Sequence, residues 1–318
     1  MSQKENVAIL GLGAMGAYFA SRFLQTPGVT TTVAVDDSRF EQLHGNGITV
    51  NGERLFPSLT RPDAKTDPAD LIIVALKHQH LLEALPQLKN LVGEHTTIIS
   101  VMNGLDSEEI IASVYGKDKI LYAISVGIDA VRENGVVNYS NPGKHIFGDA
   151  NNTHISERVK SVQNLFDRAG IHYETPVDMI RMLWWKFMIN VGMNQSSAVM
   201  RAPYGAFQHS PEAQELMKTL MLEVINLAIA AGIALSEKDL QAWYPVLRSL
   251  SPQGKTSMLQ DIEAGRKTEW EIFGGKVLEL GQRYNIETPV NRTVVKIIKV
   301  LEQVSGIKQD NNNNLEQP

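Results

Sequence analysis

The stretch Val7-Ala8-Ile9-Leu10-Gly11-Leu12-Gly13-Ala14-Met15-Gly16 decides the fold of the first part of this chain. A short apolar run, typical of a buried strand, leads into three glycines with the spacing Gly-x-Gly-x-x-Gly, and a segment with helical periodicity follows. In this motif the first glycine permits a tight turn, the second lets backbone approach a pyrophosphate, and the third lets helix and strand pack closely. The motif therefore predicts dinucleotide binding by Gly11, Leu12, Gly13, Ala14, Met15 and Gly16.

The pattern around this loop predicts an α/β domain. Short runs rich in Val, Ile and Thr occupy 7–10, 31–35, 71–76 and 97–101, and helical spacing occupies 14–24 and 81–91. Runs that are apolar on both faces suit the buried strands of a parallel sheet, and alternation with helices indicates a doubly wound, Rossmann-type arrangement. Asn51-Gly52 predicts a two-residue hairpin. Between 121 and 147, β-branched runs separated by turn residues predict antiparallel strands.

The second part of the chain is predicted to be helical almost throughout. Ser210-Pro211 and Ser236 are predicted helix starts, Gly265 a helix end, and Thr268 the start of a capping box. We therefore predict a Rossmann-type dinucleotide-binding domain over 1–178, an all-helical substrate domain over 179–305, and a polar tail over 306–318.

Composition narrows the class of protein. The chain has 318 residues, a formal net charge of -5, 43% hydrophobic residues and no cysteine. Acidic and basic side chains are interspersed without a basic stripe, which argues against nucleic-acid binding. No apolar run approaches the roughly 20 residues of a membrane span, and no secretory signal is recognisable, so we expect a cytoplasmic protein. His78-Gln79-His80 lacks further ligands at a recognised spacing, and we predict no metal site.

Polar residues follow three of the predicted strands. Asp36 lies 20 residues beyond Gly16, where the acid that binds the adenosine ribose is expected. Lys77 and Asn103 follow later strands, and the carboxyl ends of parallel strands line the ligand crevice of such sheets. From the pattern alone, Lys77 could be a solvated side chain and Asn103-Gly104 a plain turn.

A second group of candidates lies on a helix in the second domain. Lys186, Asn190 and Asn194 have the spacing i, i+4, i+8 and share one helix face, among Trp, Phe, Met, Ile and Val. Polar groups on an apolar helix need partners or a ligand, and a lysine so placed can donate a proton to a developing alkoxide. The same pattern is explained equally well by a lysine that reaches solvent and asparagines that cap nearby backbone groups. Ser257 and Glu269 could face one cavity if the chain breaks near Gly265, although an exposed connector has the same composition.

These motifs together resemble the ketopantoate reductase (2-dehydropantoate 2-reductase) family over about 5–300. The specific elements are Trp185-Lys186-Phe187 with Asn190 and Asn194, and Ser257 to Asp261 with Thr268-Glu269. The resemblance implies hydride transfer from NAD(P)H to the 2-keto group of ketopantoate, giving pantoate for pantothenate and coenzyme A synthesis, with Lys186 as general acid. It implies substrate contacts by Asn103, Asn190, Asn194, Ser257 and Glu269, and cofactor contacts by Lys77, Asn103, Val131 and Glu269. It also implies two domains that close on each other.

The chain departs from the family pattern at two positions. Tyr204 stands where the family often has an asparagine, so the substrate contact made by that asparagine is not expected from the same residue type here. Asp36 stands where members that use NADPH commonly have an arginine. A carboxylate accepts hydrogen bonds from the ribose hydroxyls of NAD and repels a 2′-phosphate, so NAD(H) is favoured here, with NADP(H) as the family default.

Two other functions fit the same motifs. One is a different two-domain dehydrogenase that acts on a β-hydroxyacid or a sugar acid. The other is a non-catalytic dinucleotide-binding redox sensor, against which Lys186 and Glu269 argue. We expect a small-molecule substrate, no nucleic-acid or membrane partner, and a homodimer as the assembly to test.

Overall fold

A computed structural model describes residues 5–133 and 135–315, with side chains described as far as residue 304. The chain separates into two compact units, Met1–Leu183 and Trp184–Pro318. A long helix begins at Met179, beside the predicted boundary, and its first residues count with the first unit.

The strands of the first unit are β1 (Glu5–Leu10), β2 (Val29–Ala34), β3 (Ile48–Val50), β4 (Glu53–Leu55), β5 (Ser58–Thr60), β6 (Leu71–Val74), β7 (Thr97–Ser100), β8 (Ile120–Val126), β9 (Val131–Glu133), β10 (Val136–Asn138), β11 (Lys144–Gly148) and β12 (Tyr173–Glu174). An eight-stranded sheet has the order β12-β11-β8-β7-β6-β1-β2-β5. The pairs from β8 to β5 are parallel, β11 runs antiparallel to its neighbour β8, and β12 runs parallel to β11. This arrangement confirms the predicted Rossmann-type doubly wound sheet.

The central strand β1 explains why the sheet is buried on both faces. Val7 and Ile9 belong to one hydrophobic core, whereas Ala8 and Leu10 belong to another on the opposite face. Successive side chains of a strand point to opposite faces, so a strand covered on both sides must be apolar throughout.

A second, four-stranded sheet has the order β4-β3-β10-β9. Its hairpin between β3 and β4 turns at Asn51 and Gly52, whose φ angles are +48° and +81°. Two successive positive φ angles are what a type I′ turn requires, and Asn-Gly is the sequence that adopts them most readily. The predicted hairpin is confirmed.

The helical elements confirm an all-helical second part. The helices are α1 (Ala14–Leu24), α2 (Asp37–Leu43), α3 (Leu81–Ala84), α4 (Ser107–Tyr115), α5 (Glu157–Ala169), α6 (Met179–Met200), α7 (Tyr204–His209), α8 (Pro211–Ala230), α9 (Glu237–Ser249), α10 (Ser257–Glu263), α11 (Gly274–Tyr284) and α12 (Pro289–Leu315). No helix in the described part of the chain is both long and apolar enough to cross a membrane.

Two predicted helix starts are confirmed and one is wrong. Ser210 caps α8 by accepting from the Ala213 amide, and Ser236 forms a capping box with Asp239. Thr268 forms no capping box: its hydroxyl and its amide both bond to the carboxylate of Glu302, at 2.7 and 2.8 Å. Glu302, 34 residues away, therefore takes the place that Glu271 would have in a capping box, while the Thr268 hydroxyl still accepts from the Trp270 amide at 3.3 Å.

Two further segments differ from the sequence-based expectation. The predicted helix over 81–91 is only one α-helical turn, α3, followed by a 3₁₀ turn over Leu85–Leu88. Pro86 lacks the amide hydrogen that a continuing helix would use. The backbone of α12 continues as far as Leu315, into the predicted polar tail, and 316–318 lie outside the described residues.

Candidate functional site

The glycine loop joins β1 to α1, and each of its glycines has a distinct environment. Gly11 has a φ of +96°, and a Cβ there would lie 2.5 Å from the Ala75 carbonyl oxygen. A Cβ on Gly16 would overlap the carbonyl oxygen of Gly11. At Gly13 the nearest atom to an added Cβ is 4.0 Å away. Packing thus requires glycine at 11 and 16, while Gly13 leaves the backbone open to a ligand.

The start of α1 suits an anionic ligand. Gly13 occupies the N-cap position without a side-chain cap, and the first turn contains no acidic residue. The N–H groups of the first turn, which have no partner within the helix, and the positive end of the helix dipole are therefore available to a pyrophosphate. The residues present fit a dinucleotide, because no side chain caps this backbone.

The strand register brings the other candidates of the first unit to the same sheet edge. Leu10 pairs with Ala34 on one side and with Val74 on the other, and Val74 pairs with Ser100. The segments that follow these four residues contain the glycine loop, Asp36, Lys77 and Asn103. Ligands of open α/β sheets bind at this carboxyl edge.

Asp36 has a structural contact that the sequence analysis missed. Its Oδ1 accepts a hydrogen bond from the Arg39 amide at 2.7 Å and so caps α2. An aspartate directly before a helix is a recognised capping signal, which could have revealed this role. The side chain is exposed, and its second oxygen makes no hydrogen bond within the described residues. One carboxylate oxygen therefore remains for a ligand.

The negative charge of the neighbouring residue, Asp37, is already offset by an arginine. Asp37 forms an ion pair with Arg61 at 3.1 Å, and the same guanidinium contacts Glu41 at 2.6 Å. Asp36 and Asp37 would together repel a 2′-phosphate if both charges were uncompensated. Because Arg61 offsets that charge, the case for repulsion rests on Asp36.

The remaining candidates of this unit differ in exposure. Lys77 is exposed and directly precedes a 3₁₀ turn over His78–His80. Asn103 is half-buried and its amide makes no hydrogen bond within 5–133 and 135–315, so it is available to a ligand. Val131 is the first residue of β9 and pairs with Asn138.

The polar face of α6 is the main feature of the second unit. Lys186 and Asn190 are half-buried, and Asn194 is 9% exposed. The Asn194 Nδ2 donates to Asn190 Oδ1 at 3.2 Å, while the Nδ2 of Asn190 is buried and has no hydrogen-bond partner among the described residues. An unsatisfied buried donor costs about 1–3 kcal/mol, so this amide is well suited to receive an acceptor from a ligand.

Ser257 joins this face from α10. Its hydroxyl donates to Asn194 Oδ1 at 3.4 Å. The preceding residue, Thr256, caps α10 and donates to Ser197 of α6 at 3.1 Å, which fixes the start of α10 against α6. The contact between Ser257 and the asparagines brings together residues that are 63 positions apart.

The predicted chain break before Glu269 is confirmed. Helix α10 ends at Glu263, and Gly265 adopts a φ of +64°. Glu269 is half-buried and directly precedes a 3₁₀ turn over Trp270–Ile272.

Tyr204 packs on the loop that leads to Ser257. Its amide donates to the Gly254 carbonyl at 2.9 Å, and the Gly205 amide donates to the Pro252 carbonyl at 2.8 Å. Burial raises the pKa of the Tyr204 phenol. The position that the resemblance associates with an asparagine is thus occupied by a half-buried tyrosine.

A buried polar network packs against α6, and no local sequence pattern indicates it. Glu223 of α8 accepts from the amides of Val290 and Asn291 at 2.8 and 3.0 Å, and from the Asn291 side chain at 2.7 Å. Asn291 in turn accepts from Gln195 of α6 at 2.8 Å. The network ties the start of α12 to the residue next to Asn194.

Within the residues that the structure describes, no three His, Asp or Glu side chains form a group that could hold a metal ion.

The fold and the two groups of candidate residues define a class of protein. It is an oxidoreductase with a Rossmann-type dinucleotide-binding unit followed by a helical unit that carries a lysine and two asparagines.

Comparisons with known proteins identify the family within this class. The family model described as ketopantoate reductase PanE/ApbA matches residues 7–152, and the model of its C-terminal part matches 178–302. The 2-dehydropantoate 2-reductase of Aquifex aeolicus is 26% identical over 299 residues, 92% of this chain and 96% of the relative. The chain belongs to the ketopantoate reductase family.

Solved structures agree with the fold. The 2-dehydropantoate 2-reductase of Geobacter metallireducens has a TM-score of 0.81 and 26% identity, covering 92% of this chain and 99% of that one. A D-mandelate dehydrogenase solved with NADH and anilino(oxo)acetate has a TM-score of 0.85 at 19% identity, covering 95% and 99%. The second likeness is one of fold.

Proposed function

We propose that this protein is a 2-dehydropantoate 2-reductase. The observation that carries the proposal is the polar face of α6, where Asn190 offers a buried, unpaired amide donor beside Asn194 and Ser257, one turn from Lys186. Family membership and the open glycine loop support the same function.

A nicotinamide dinucleotide held at the glycine loop would supply a hydride to the ketone carbon of the substrate. Negative charge then develops on the carbonyl oxygen, and Lys186 protonates it from its ammonium group to give the hydroxyl of pantoate. The lysine lies on a helix held by the buried contact between Gln195 and Asn291. A fixed helix limits the movement of the acid relative to the reacting oxygen, which favours proton transfer.

The neutral amides and hydroxyl of the site orient the substrate. In this proposal the Nδ2 of Asn190 and the second N–H of the Asn194 Nδ2 bind its oxygen atoms, and Ser257 contributes its hydroxyl. Asn103 and Glu269 hold the substrate and the nicotinamide, while Lys77 and the Val131 backbone hold the cofactor. Neutral donors give orientation without competing with Lys186 for negative charge.

The cofactor is a nicotinamide dinucleotide, and we propose NADH as the preferred form. One oxygen of Asp36 is available to accept hydrogen bonds from the adenosine ribose hydroxyls, because the other caps α2. The same charge disfavours a 2′-phosphate.

One experiment tests the function directly. The decrease of absorbance at the reduced-nicotinamide band is followed with ketopantoate present, using NADH and NADPH in turn. A panel of other 2-oxo acids is the control, because the half-buried Tyr204 stands where the family often has an asparagine. A better substrate in the panel would indicate the other two-domain dehydrogenase, and cofactor binding without any turnover would indicate the redox sensor. Sedimentation of the full chain tests the proposed homodimer.

A further inference from the structure

Arg132 contacts the glycine loop from a distant part of the chain. It lies on β9 of the four-stranded sheet, and its Nη1 donates to the carbonyl oxygen of Leu12 at 3.1 Å across 120 positions. Leu12 is the residue between the first two glycines of the loop. A guanidinium group is therefore fixed beside the dinucleotide-binding backbone.

A second arginine lies at the same end of the sheet. Leu10 of β1 pairs with Ala34 of β2, so Leu12 and Asp36 follow neighbouring strand ends in equivalent positions. Arg39 is in the first turn of α2, where its amide bonds to Asp36. The two arginines thus approach the edge around Asp36 from the small sheet and from α2.

The charges of these two residues are not compensated by the protein. Within the described residues neither Arg39 nor Arg132 forms an ion pair, in contrast to Arg61, which pairs with Asp37 and Glu41. Partial burial, and then the charge of Arg39, lower the pKa of Arg132. Two like charges held near each other suit an anionic ligand, and guanidinium groups bind phosphate through paired hydrogen bonds.

We propose that Arg39 and Arg132 bind the 2′-phosphate of NADP(H), so that the protein accepts this cofactor beside NAD(H) despite Asp36. The inference rests on the proposed binding of a dinucleotide at the glycine loop. In Rossmann units the pyrophosphate lies at the N-terminus of the first helix, and the adenosine ribose lies at the acid that follows the second strand. Arg39 is beside that acid, which assigns the pair to the 2′-phosphate.

The test measures binding to the full chain without substrate. Dissociation constants for NAD⁺, NADP⁺, adenosine 2′,5′-bisphosphate and 5′-ADP are determined by calorimetry for the parent, Arg39→Gln and Arg132→Gln. Arg54→Gln is the matched control, because Arg54 also lies on the small sheet and donates to a backbone carbonyl, that of Asn46. Thermal unfolding of each variant without ligand reports any structural effect.

We expect both site variants to weaken NADP⁺ and the bisphosphate about tenfold, and NAD⁺ and ADP less than threefold, because only the first two ligands carry the 2′-phosphate to which a charged hydrogen bond is lost. Arg54→Gln should leave all four constants unchanged. Equal losses for all four ligands would assign Arg132 to the loop or the pyrophosphate and overturn the proposal. A parent that binds NAD⁺ and no NADP⁺ would overturn it while leaving the proposed function intact. A parent that binds no dinucleotide would refute the proposed function itself.

Discussion

Asn190 and Asn194 are linked side chain to side chain on α6, with the Nδ2 of Asn194 donating to the Oδ1 of Asn190 at 3.2 Å. The link fixes which atoms face outward from the pair. Asn190 uses its oxygen internally and keeps a buried, unpaired amide nitrogen. Asn194 uses its nitrogen and receives the Ser257 hydroxyl on its oxygen at 3.4 Å.

This arrangement of donor and acceptor atoms predicts the effect of removing either side-chain amide. Asn190→Ala and Asn194→Ala should raise the KM for ketopantoate about three- to tenfold, the value of one or two neutral hydrogen bonds. The dissociation constant for the dinucleotide should change less than twofold, because the glycine loop belongs to the other unit. Steady-state kinetics and calorimetry give the two numbers. Asn226→Ala, an exposed asparagine on α8, is the control, and equal weakening of both ligands would contradict the assignment.

Lys186→Ala should lose about 10²- to 10⁴-fold in kcat, the usual contribution of general acid catalysis, while dinucleotide binding is retained. The control is Lys238→Ala, which removes an exposed lysine from α9. The measurement is kcat at saturating substrate together with the dissociation constant for the cofactor. A variant whose kcat stays within a few-fold of the parent would remove Lys186 from the role of acid.

The features that were predicted correctly depend on neighbours in sequence. Asn51-Gly52 forms its hairpin because both residues tolerate positive φ, and Ser236 caps α9 through Asp239, three residues on. The glycine loop belongs to the same group, since its motif is contiguous. Lys186, Asn190 and Asn194 share a face because helix periodicity places them there.

The features that were missed depend on contacts between distant positions. Thr268 bonds to Glu302, Arg132 reaches Leu12, and Glu223 accepts from the start of α12. Each pair is separated by 34 to 120 positions, so no local pattern indicates it. Such contacts depend on how whole helices and strands pack together, and this packing cannot be inferred from local patterns in a single sequence.

The glycine loop allows binding and folding to be separated. Gly13→Ala should fold normally, because the added Cβ would have no atom nearer than 4.0 Å, yet bind the dinucleotide at least tenfold more weakly. Gly16→Ala should lower the free energy of unfolding by about 1–3 kcal/mol, since its Cβ would overlap the Gly11 carbonyl. Chemical denaturation and calorimetry measure the two effects. Unimpaired binding by Gly13→Ala would show that no phosphate approaches this residue.

Glu223 predicts a stability effect in the helical unit. Glu223→Ala removes the acceptor of three hydrogen bonds, two of them buried, and should lower the free energy of unfolding by about 2–4 kcal/mol. Glu223→Gln keeps one acceptor oxygen and should lose about half as much. Glu215→Ala, at an exposed position of the same helix, should stay within about 0.5 kcal/mol of the parent. If all three variants unfold alike, the network does not stabilise the unit.

Asp36 gives the most specific prediction about the cofactor. Two unit charges 4 Å apart interact by about 1 kcal/mol in water and about 4 kcal/mol at an effective dielectric constant of 20. The site is exposed, so the lower part of this range applies, and the parent should favour NADH by no more than about tenfold in kcat/KM. Asp36→Asn removes the charge and, because asparagine caps helices as well as aspartate does, keeps α2 intact.

We expect Asp36→Asn to move the ratio of kcat/KM toward NADPH by about tenfold with an unchanged Tm, and Asp36→Arg to move it further. Asp37→Asn is the matched neighbour: its carboxylate is already paired with Arg61 at 3.1 Å, so the ratio should change less than threefold. Kinetics with both reduced cofactors, together with thermal unfolding, check these values. The repulsion argument fails if Asp36→Asn and Asp37→Asn shift the ratio equally, or if the parent already prefers NADPH.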